Sequence, residues 1–277
     1  MLHWIISSTS KLSDFIECYW FIDKHSGSGH SFPKLNPVPC AHLILAPRSE
    51  PYSYSFAKQQ ELGQGSHLLL AHQNTFDLDH SKSFTHLGVK FKVGVPYMMS
   101  ITTSDEGQLD VVKQIDTNEL LSVNEAALSE LFVLAKQSPD ACIAKLDGIL
   151  TPWVEQTQHD QHSELTFRVI EALQEVGISV LADKLHCSKR TIERSFRRVT
   201  GLTLKQYQAM TKLELLLEHL YKKQASQIDW VDIAFQFGFS DQPHLIRYLK
   251  QQIGTTPNKY LLERGFTIDV YGGVSSS

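Results

Sequence analysis

Up to about residue 115 the apolar positions fall in short runs: CAHLILA at 40–46, SHLLLAH at 66–72 and THLGVKFKVG at 85–94. Pro33, Pro37, Pro39, Pro47, Pro51, Gly63, Gly65 and clusters of Ser and Asn separate them. Short apolar runs between turn-forming residues read as strands, and many of them at this spacing predict a β-barrel or sandwich over residues 1–117. At Asn118 the period changes. Leu120, Leu121, Val123, Ala127, Leu128, Leu131, Phe132 and Ala135 recur at three- and four-residue steps, and Ile143, Leu146, Ile149, Leu150 and Val154 do so after Pro139. Two helices over 118–156 follow from that stripe, which can either pair two copies of the chain or cover the β domain; pairing is the expectation. The polar run QTQHDQHS, Gln156–Ser163, has no apolar anchor and reads as an interdomain linker at 157–163.

Helical periodicity resumes in residues 164–266. In Ile233–Tyr260, IAFQFGFSDQPHLIRYLKQQIGTTPNKY, the residues Ile233, Ala234 and Phe237 give the stripe of a short packed helix, and Gly238 supplies the backbone freedom of a tight turn. Ser240 is expected to cap a second helix, with Pro243 early enough in it to forfeit no interior hydrogen bond. That is the layout of a helix-turn-helix, whose second helix enters the DNA major groove. The layout occurs twice. Val180–Tyr207 repeats it, with Ala182 and Ser188 standing 52 positions before Ala234 and Ser240. Arg194, Phe196, Arg197, Gly201 and Tyr207 stand 53 before Arg247, Leu249, Lys250, Gly254 and Tyr260. Between the copies, Tyr207, Met210, Leu213, Leu216, Leu217 and Leu220 put a broad apolar face on one long helix from Leu204 to about Lys223.

The second copy closely resembles the AraC/XylS family of bacterial transcription regulators through Ile233, Ala234, Gly238, Phe239, Ser240, Asp241, Gln242, Arg247, Lys250, Gly254, Thr256, Pro257 and Tyr260. The duplication is that family's hallmark, and the resemblance covers about 100 residues. It departs at Pro243, at Leu245 and Leu249 where aromatics are usual, at Lys212 where Arg is usual, and at Leu204, where a helix-starting Pro is usual. The resemblance implies a rigid central helix holding two recognition helices about one DNA turn apart, and an N-terminal β domain of the sensor kind. LGVKFKVGVPYMM, 87–99, is similar to a segment recurring in one uncharacterised subset.

In the first copy, Ser188 is the expected cap and Ile192 and Phe196 point inward. Lys189, Arg190, Glu193, Arg194, Arg197 and Arg198 are then left outside. Arg190 and Arg194 share a surface and suit the bidentate contact to guanine; Glu193 suits a cytosine amine. Lys189, Arg197 and Arg198 suit phosphates, which set register without reading bases. Gln242, His244 and Arg247 form the reading surface expected of the second copy, with Lys250 on the backbone. The alternative for such a run is a solvated basic face, which the duplication disfavours.

Net charge is −4, unpromising for a DNA binder until it is divided. Residues 164–266 hold 15 Lys and Arg against 11 Asp and Glu, a balance of +4, which leaves −8 on the remainder. A basic half suits phosphates while an acidic half limits indiscriminate adhesion to nucleic acid. No apolar run reaches the roughly 18 residues of a membrane span, and MLHWIISSTSKLSD lacks a basic and then apolar leader, so a cytoplasmic protein with no membrane partner is expected. Cys18, Cys40, Cys142 and Cys187 show no CxxC spacing and are expected as buried free thiols.

Ten of the 13 histidines precede residue 163, but no HxH pair occurs. His67 with His72, or Cys40 with His42, come nearest to metal-ligand spacing, and neither makes a cupin set, so no metal and no cofactor are expected. Trp4, Tyr19, Trp20, Phe21, Phe32, Tyr52, Tyr54 and Phe56 can line an effector pocket or simply fill the core. No GxSxG, P-loop or HExxH is present, and Cys18 and Cys40 lack the basic neighbours of a reactive thiol. The expectation is an α+β protein of two domains and not an enzyme. It is expected to be a sequence-specific regulator, of the activator kind, binding double-stranded DNA and RNA polymerase, with a small-molecule effector and a homodimer as possible partners. A β domain that binds a partner protein is the alternative. The tail 267–277, ending in GGVSSS, is expected to be disordered and without a role.

Overall fold

The computed structural model describes residues 2–8, 11–27, 31–56, 59–101, 109–223, 228–254, 256–257 and 259. The tail 267–277 and Tyr260 lie outside them. Nine strands precede the first helix: β1 (Leu2–Ser7), β2 (Ile16–Lys24), β3 (Lys34–Leu35), β4 (His42–Leu45), β5 (Pro51–Phe56), β6 (Gln59–Gln64), β7 (His67–Leu69), β8 (Phe76–Leu78) and β9 (Phe84–Phe91). The one-turn α1 (Val95–Met98) and strand β10 (Val112–Gln114) complete this half. The strands form two sheets, ordered β1-β2-β9-β4-β7-β10 and β3-β8-β5-β6, and all the described pairings are antiparallel. Of barrel and sandwich, the sandwich-like arrangement is the one formed.

Alternation along β2 decides what each face meets. Tyr19 and Phe21, with Leu43 and Leu45 of β4 and Leu87, Val89 and Phe91 of β9, point to one side. Trp20 and Ile22, with Ile44, point to the other and pack on Tyr54, Phe76 and Leu78 of the smaller sheet. Every residue of β2 except Glu17 is buried, which is the signature of a strand covered on both faces. Each large apolar side chain buried there stabilises the fold by about 1.5–3 kcal/mol. Gly88 lies opposite Trp20 in the β2–β9 ladder, and the indole fills the space where a Cβ would stand, 1.8 Å from its nearest ring atom.

Helices α2 (Thr117–Leu121), α3 (Glu125–Gln137) and α4 (Pro139–Val154) cover the outer face of the larger sheet. Their stripe of Leu128, Leu131, Ala135, Cys142, Leu146, Leu150 and Val154 belongs to the same core as Tyr19, Phe21 and Val89. Trp4 Nε1 donates to the Ala135 carbonyl at 2.9 Å, and the Tyr19 hydroxyl donates to Asp147. The stripe that could have paired two copies thus packs on the chain's own sheet.

The remaining elements are helical: α5 (Gln161–Ala172), a 3-10 turn at Ile178–Val180, α6 (Leu181–Leu185), α7 (Lys189–Thr200), α8 (Leu204–Lys222), α9 (Trp230–Gln236) and α10 (Gln242–Ile253). Residues 161–163, read from sequence as linker, are the first turn of α5. Asp160 caps that helix by accepting from the His162 and Ser163 amides, while the Ser163 hydroxyl accepts from the Asp160 amide. A polar run with no apolar anchor is also what a capping box looks like. Among the described residues no helix is long and apolar enough to cross a membrane.

Candidate nucleic-acid interface

Two small cores make two units. Val169, Leu181, Leu185, Ile192, Phe196, Leu202, Leu204 and Met210 form the first, and Leu213, Leu216, Leu217, Leu220, Ile233, Ala234, Phe239, Leu245, Leu249 and Ile253 the second. Helix α8 supplies residues to both, so its 19 residues, roughly 28 Å, tie the units together as one piece. Leu245 and Leu249, the two departures from aromatic residues, are fully buried and fill the second core. Lys212 lies 3.7 Å from the Phe239 ring centroid, so this cation packs on the turn of the second unit. The start of α8 lacks the usual Pro, but Thr203 and Gln206 form a capping box that supplies the start signal instead.

The turns carry out what their sequences predicted, with one correction. Gly238 has φ 66°, and in the first unit His186 takes the same left-handed conformation at φ 49°. In the first unit Ser188 caps α7, accepting from the Thr191 amide at 3.1 Å. In the second, Ser240 is not the cap. Asp241 takes that position and accepts from the His244 amide at 2.7 Å, while the Ser240 hydroxyl lies 3.2 Å from His244 Nδ1. The extra residue of the second copy is therefore absorbed between the left-handed turn residue and the cap. Pro243 then sits in the first turn, where no intrahelical donor is needed. A carboxylate at that N-terminus also interacts favourably with the helix dipole.

Capping from Ser188 sets the face that α7 presents. Ile192, Ser195, Phe196 and Val199 turn inward; Lys189, Arg190, Glu193, Arg194 and Arg197 are exposed. Lys189 and Glu193 approach to 3.8 Å in a solvent-exposed pair that costs little to break. Arg198 is half-buried and turned aside: its Nε donates to the Tyr97 hydroxyl at 3.1 Å, and that hydroxyl donates to Asp160 at 2.7 Å. On α10, His244, Arg247 and Lys250 are exposed and Gln242 is half-buried. The side chains thus separate into a strongly basic first face and a sparser second one.

Sequence reasoning missed the residues through which the β half touches these units. Gly94 backs onto Val199 and Phe167, Gln206 Nε2 donates to Gln73 at 2.8 Å, and the Thr75 hydroxyl donates to the Gln252 carbonyl at 2.8 Å. One signal was available: Lys90 interrupts the apolar run LGVKF and is buried, bonded to Glu17 and to Glu214 of α8, each at 2.7 Å. Burial opposes its charge, and the carboxylates around it hold the ammonium above its ordinary range.

In the β half, a cavity of about 220 Å³ opens beside Tyr52, Tyr54, Leu62, His80, Phe84 and His86. Of the eight aromatics singled out from sequence, only Tyr52 and Tyr54 line it. Tyr19, Trp20 and Phe21 are core, and Phe32 is 64% exposed. His67 accepts no metal-like surroundings; its Nε2 lies 2.8 Å from the Tyr54 hydroxyl and its Nδ1 2.9 Å from the Gly65 carbonyl. His72 bonds the Asn74 carbonyl, and Cys40 lies 3.7 Å from His42. Among the described residues no group of three or more His, Cys, Asp or Glu is placed to hold a metal. Burial pushes the Cys18 and Cys142 thiols up to about 12 and Cys40 well above its usual value, so at neutral pH these three are thiols rather than thiolate nucleophiles.

Comparison with known proteins agrees with this geometry. Residues 181–263 match a family described as a helix-turn-helix domain, and residues 6–106 match a domain of unknown function, DUF6597. The chain is 33% identical over 85 residues to the probable transcription factor PqrA of Proteus vulgaris, covering 31% of this chain and 67% of PqrA. It is 31% identical over 84 residues to the HTH-type transcriptional activator RhaS of Escherichia coli, covering 30% of this chain and 29% of RhaS. In structure it is similar to apo ToxT of Vibrio cholerae strain SCE256, with a TM-score of 0.51, 12% identity, and coverage of 88% of this chain and 97% of that one. Two helix-turn-helix units on one connecting helix, behind a two-sheet N-terminal half, go with that sequence match: the chain belongs to the AraC/XylS family of transcription regulators.

Proposed function

We propose that this protein is a cytoplasmic, sequence-specific activator of transcription and has no enzymatic role. It binds duplex DNA with its two units in adjacent major grooves and works through RNA polymerase. The observation that supports this reading most directly is the exposure of Arg190 and Arg194 four residues apart on α7, beside Lys189 and Arg197 and opposite a sealed apolar face. Arg at those positions can take guanine O6 and N7 while its neighbours hold phosphates. Gln242, His244 and Arg247 read the second groove more weakly. That RhaS is named a transcriptional activator supports the sign of regulation. Genome-wide mapping of DNA bound by the full chain and by Arg190→Ala,Arg194→Ala tests it. Enriched sites with two elements about one turn apart, lost in the variant, are expected; occupancy without any preferred sequence would overturn it.

The same reading makes the β half a sensor. Its cavity is smaller than the roughly 300–1,000 Å³ of drug-sized sites and suits a compact effector held between the aromatic faces of Tyr52, Tyr54 and Phe84. Two copies pairing through α3 and α4 would have to use the outer faces of those helices, where Val133 is exposed, because the inner stripe covers the sheet.

A further inference from the structure

Lys90 lies near the end of β9, on the sheet face that also carries Trp20, beside its ladder partners Cys18 and His42. A lysine that is 1% exposed is tolerated only when paired, because an isolated charge there costs several kcal/mol. Two carboxylates pair it, and they differ in kind. Glu17 comes from the adjacent strand β2 and is 47% exposed; Glu214 comes from α8 and is 22% exposed. Glu17 alone keeps Lys90 paired when α8 is away, so the β half is complete without the helix. With α8 in place, Lys90 gains a second partner at 2.7 Å.

The other contacts across this boundary reach both units. Tyr97 of α1 takes Arg198 at the end of α7, and the hydroxyl of Thr75 takes the Gln252 carbonyl at the end of α10. Arg198 is one of the cations that the repeat places toward phosphate, and here its Nε is turned to a tyrosine hydroxyl that is itself bonded to Asp160. A guanidinium so engaged is withheld from the DNA backbone. The β half thereby holds the two units in one disposition and takes a cation from the first.

We infer that Lys90–Glu214 and Tyr97–Arg198 form an autoinhibitory clasp between the two halves, and that DNA binding requires it to open. The inference rests on the DNA-binding reading above. Opening costs two polar contacts and leaves no unpaired buried charge in the β half, as a reversible device requires. Contacts of this kind set the population of the DNA-competent arrangement without touching the recognition residues.

The test compares three full-length proteins on a random-sequence 40-base-pair duplex over a range of KCl: wild type, Glu214→Ala,Tyr97→Phe, and Glu218→Ala. The last makes the same change of charge on the same helix. The double variant is expected to bind about three- to tenfold more tightly than Glu218→Ala, with a salt slope steeper by about 0.9 for the released Arg198. Its radius of gyration by X-ray scattering is expected to rise. Affinity and slope equal to those of Glu218→Ala would overturn the clasp, and so would expansion with weaker binding, which would make the closed arrangement the competent one. Failure of all three proteins to bind duplex would overturn the DNA-binding reading itself, and this inference with it.

Discussion

Ser188 and Asp241 hold the same place in the two recognition helices: each accepts from the amide three residues on, of Thr191 and of His244. The family resemblance runs through Ser240, one residue earlier, yet the structural equivalence is offset by 53 from the cap onward. Asp241→Ala should therefore destabilise the second unit by about 1 kcal/mol, and Ser240→Ala by a few tenths. Urea unfolding of the full chain checks this; the opposite ranking would return the cap to Ser240.

Arg194→Ala should cost about 1–3 kcal/mol on the selected operator and flatten preference at one base pair. Lys250→Ala should weaken operator and random duplex alike and reduce the salt slope by about 0.9. Fluorescence anisotropy titrations on both duplexes separate the two roles. Equal losses on operator and random DNA for Arg194→Ala would remove it from base reading.

Gly88 gives a test of the β half that is independent of DNA. A methyl group there meets the Trp20 ring, which is fully buried and hydrogen-bonded to His42 Nδ1 at 3.3 Å. Gly88→Ala should destabilise by about 3 kcal/mol through overpacking. A melting temperature within two degrees or so of wild type would show that the sheets separate more easily than their packing implies.

Acid should loosen the β half. Burial holds His67 at about 3 and His72 at about 4, against 6.5 for an unburied imidazole, and His80 at about 3. Each is neutral when folded and becomes protonated on unfolding below pH 6.5, so the unfolded chain binds more protons and stability falls as pH drops. At pH 5 each contributes a loss of about 2 kcal/mol at most. The urea midpoint should be level from pH 8 to 7 and decline from 6.5 to 5; a flat profile would mean that the imidazoles become charged in the folded state.

The sequence by itself determined the C-terminal half. Short-range chemistry does the specifying there: three- and four-residue apolar spacing, a turn glycine and polar caps each fold within a few turns of chain, and duplication repeats the message. Gly238, Phe196, the core leucines and the exposed arginines are all where their spacing puts them. The cap is an instructive near miss, because Ser240 and Asp241 are both good caps and only backbone geometry chooses between them. The alternating strands were legible as a two-sheet class for the same local reason. Which sheet Trp20 faces, that α3 and α4 cover the chain's own sheet, and that Lys90 meets Glu214 were decided by the tertiary structure alone. Those relationships join residues as much as 124 positions apart. An apolar stripe or a lone buried lysine carries no record of its partner, which is set by how the packed layers come together.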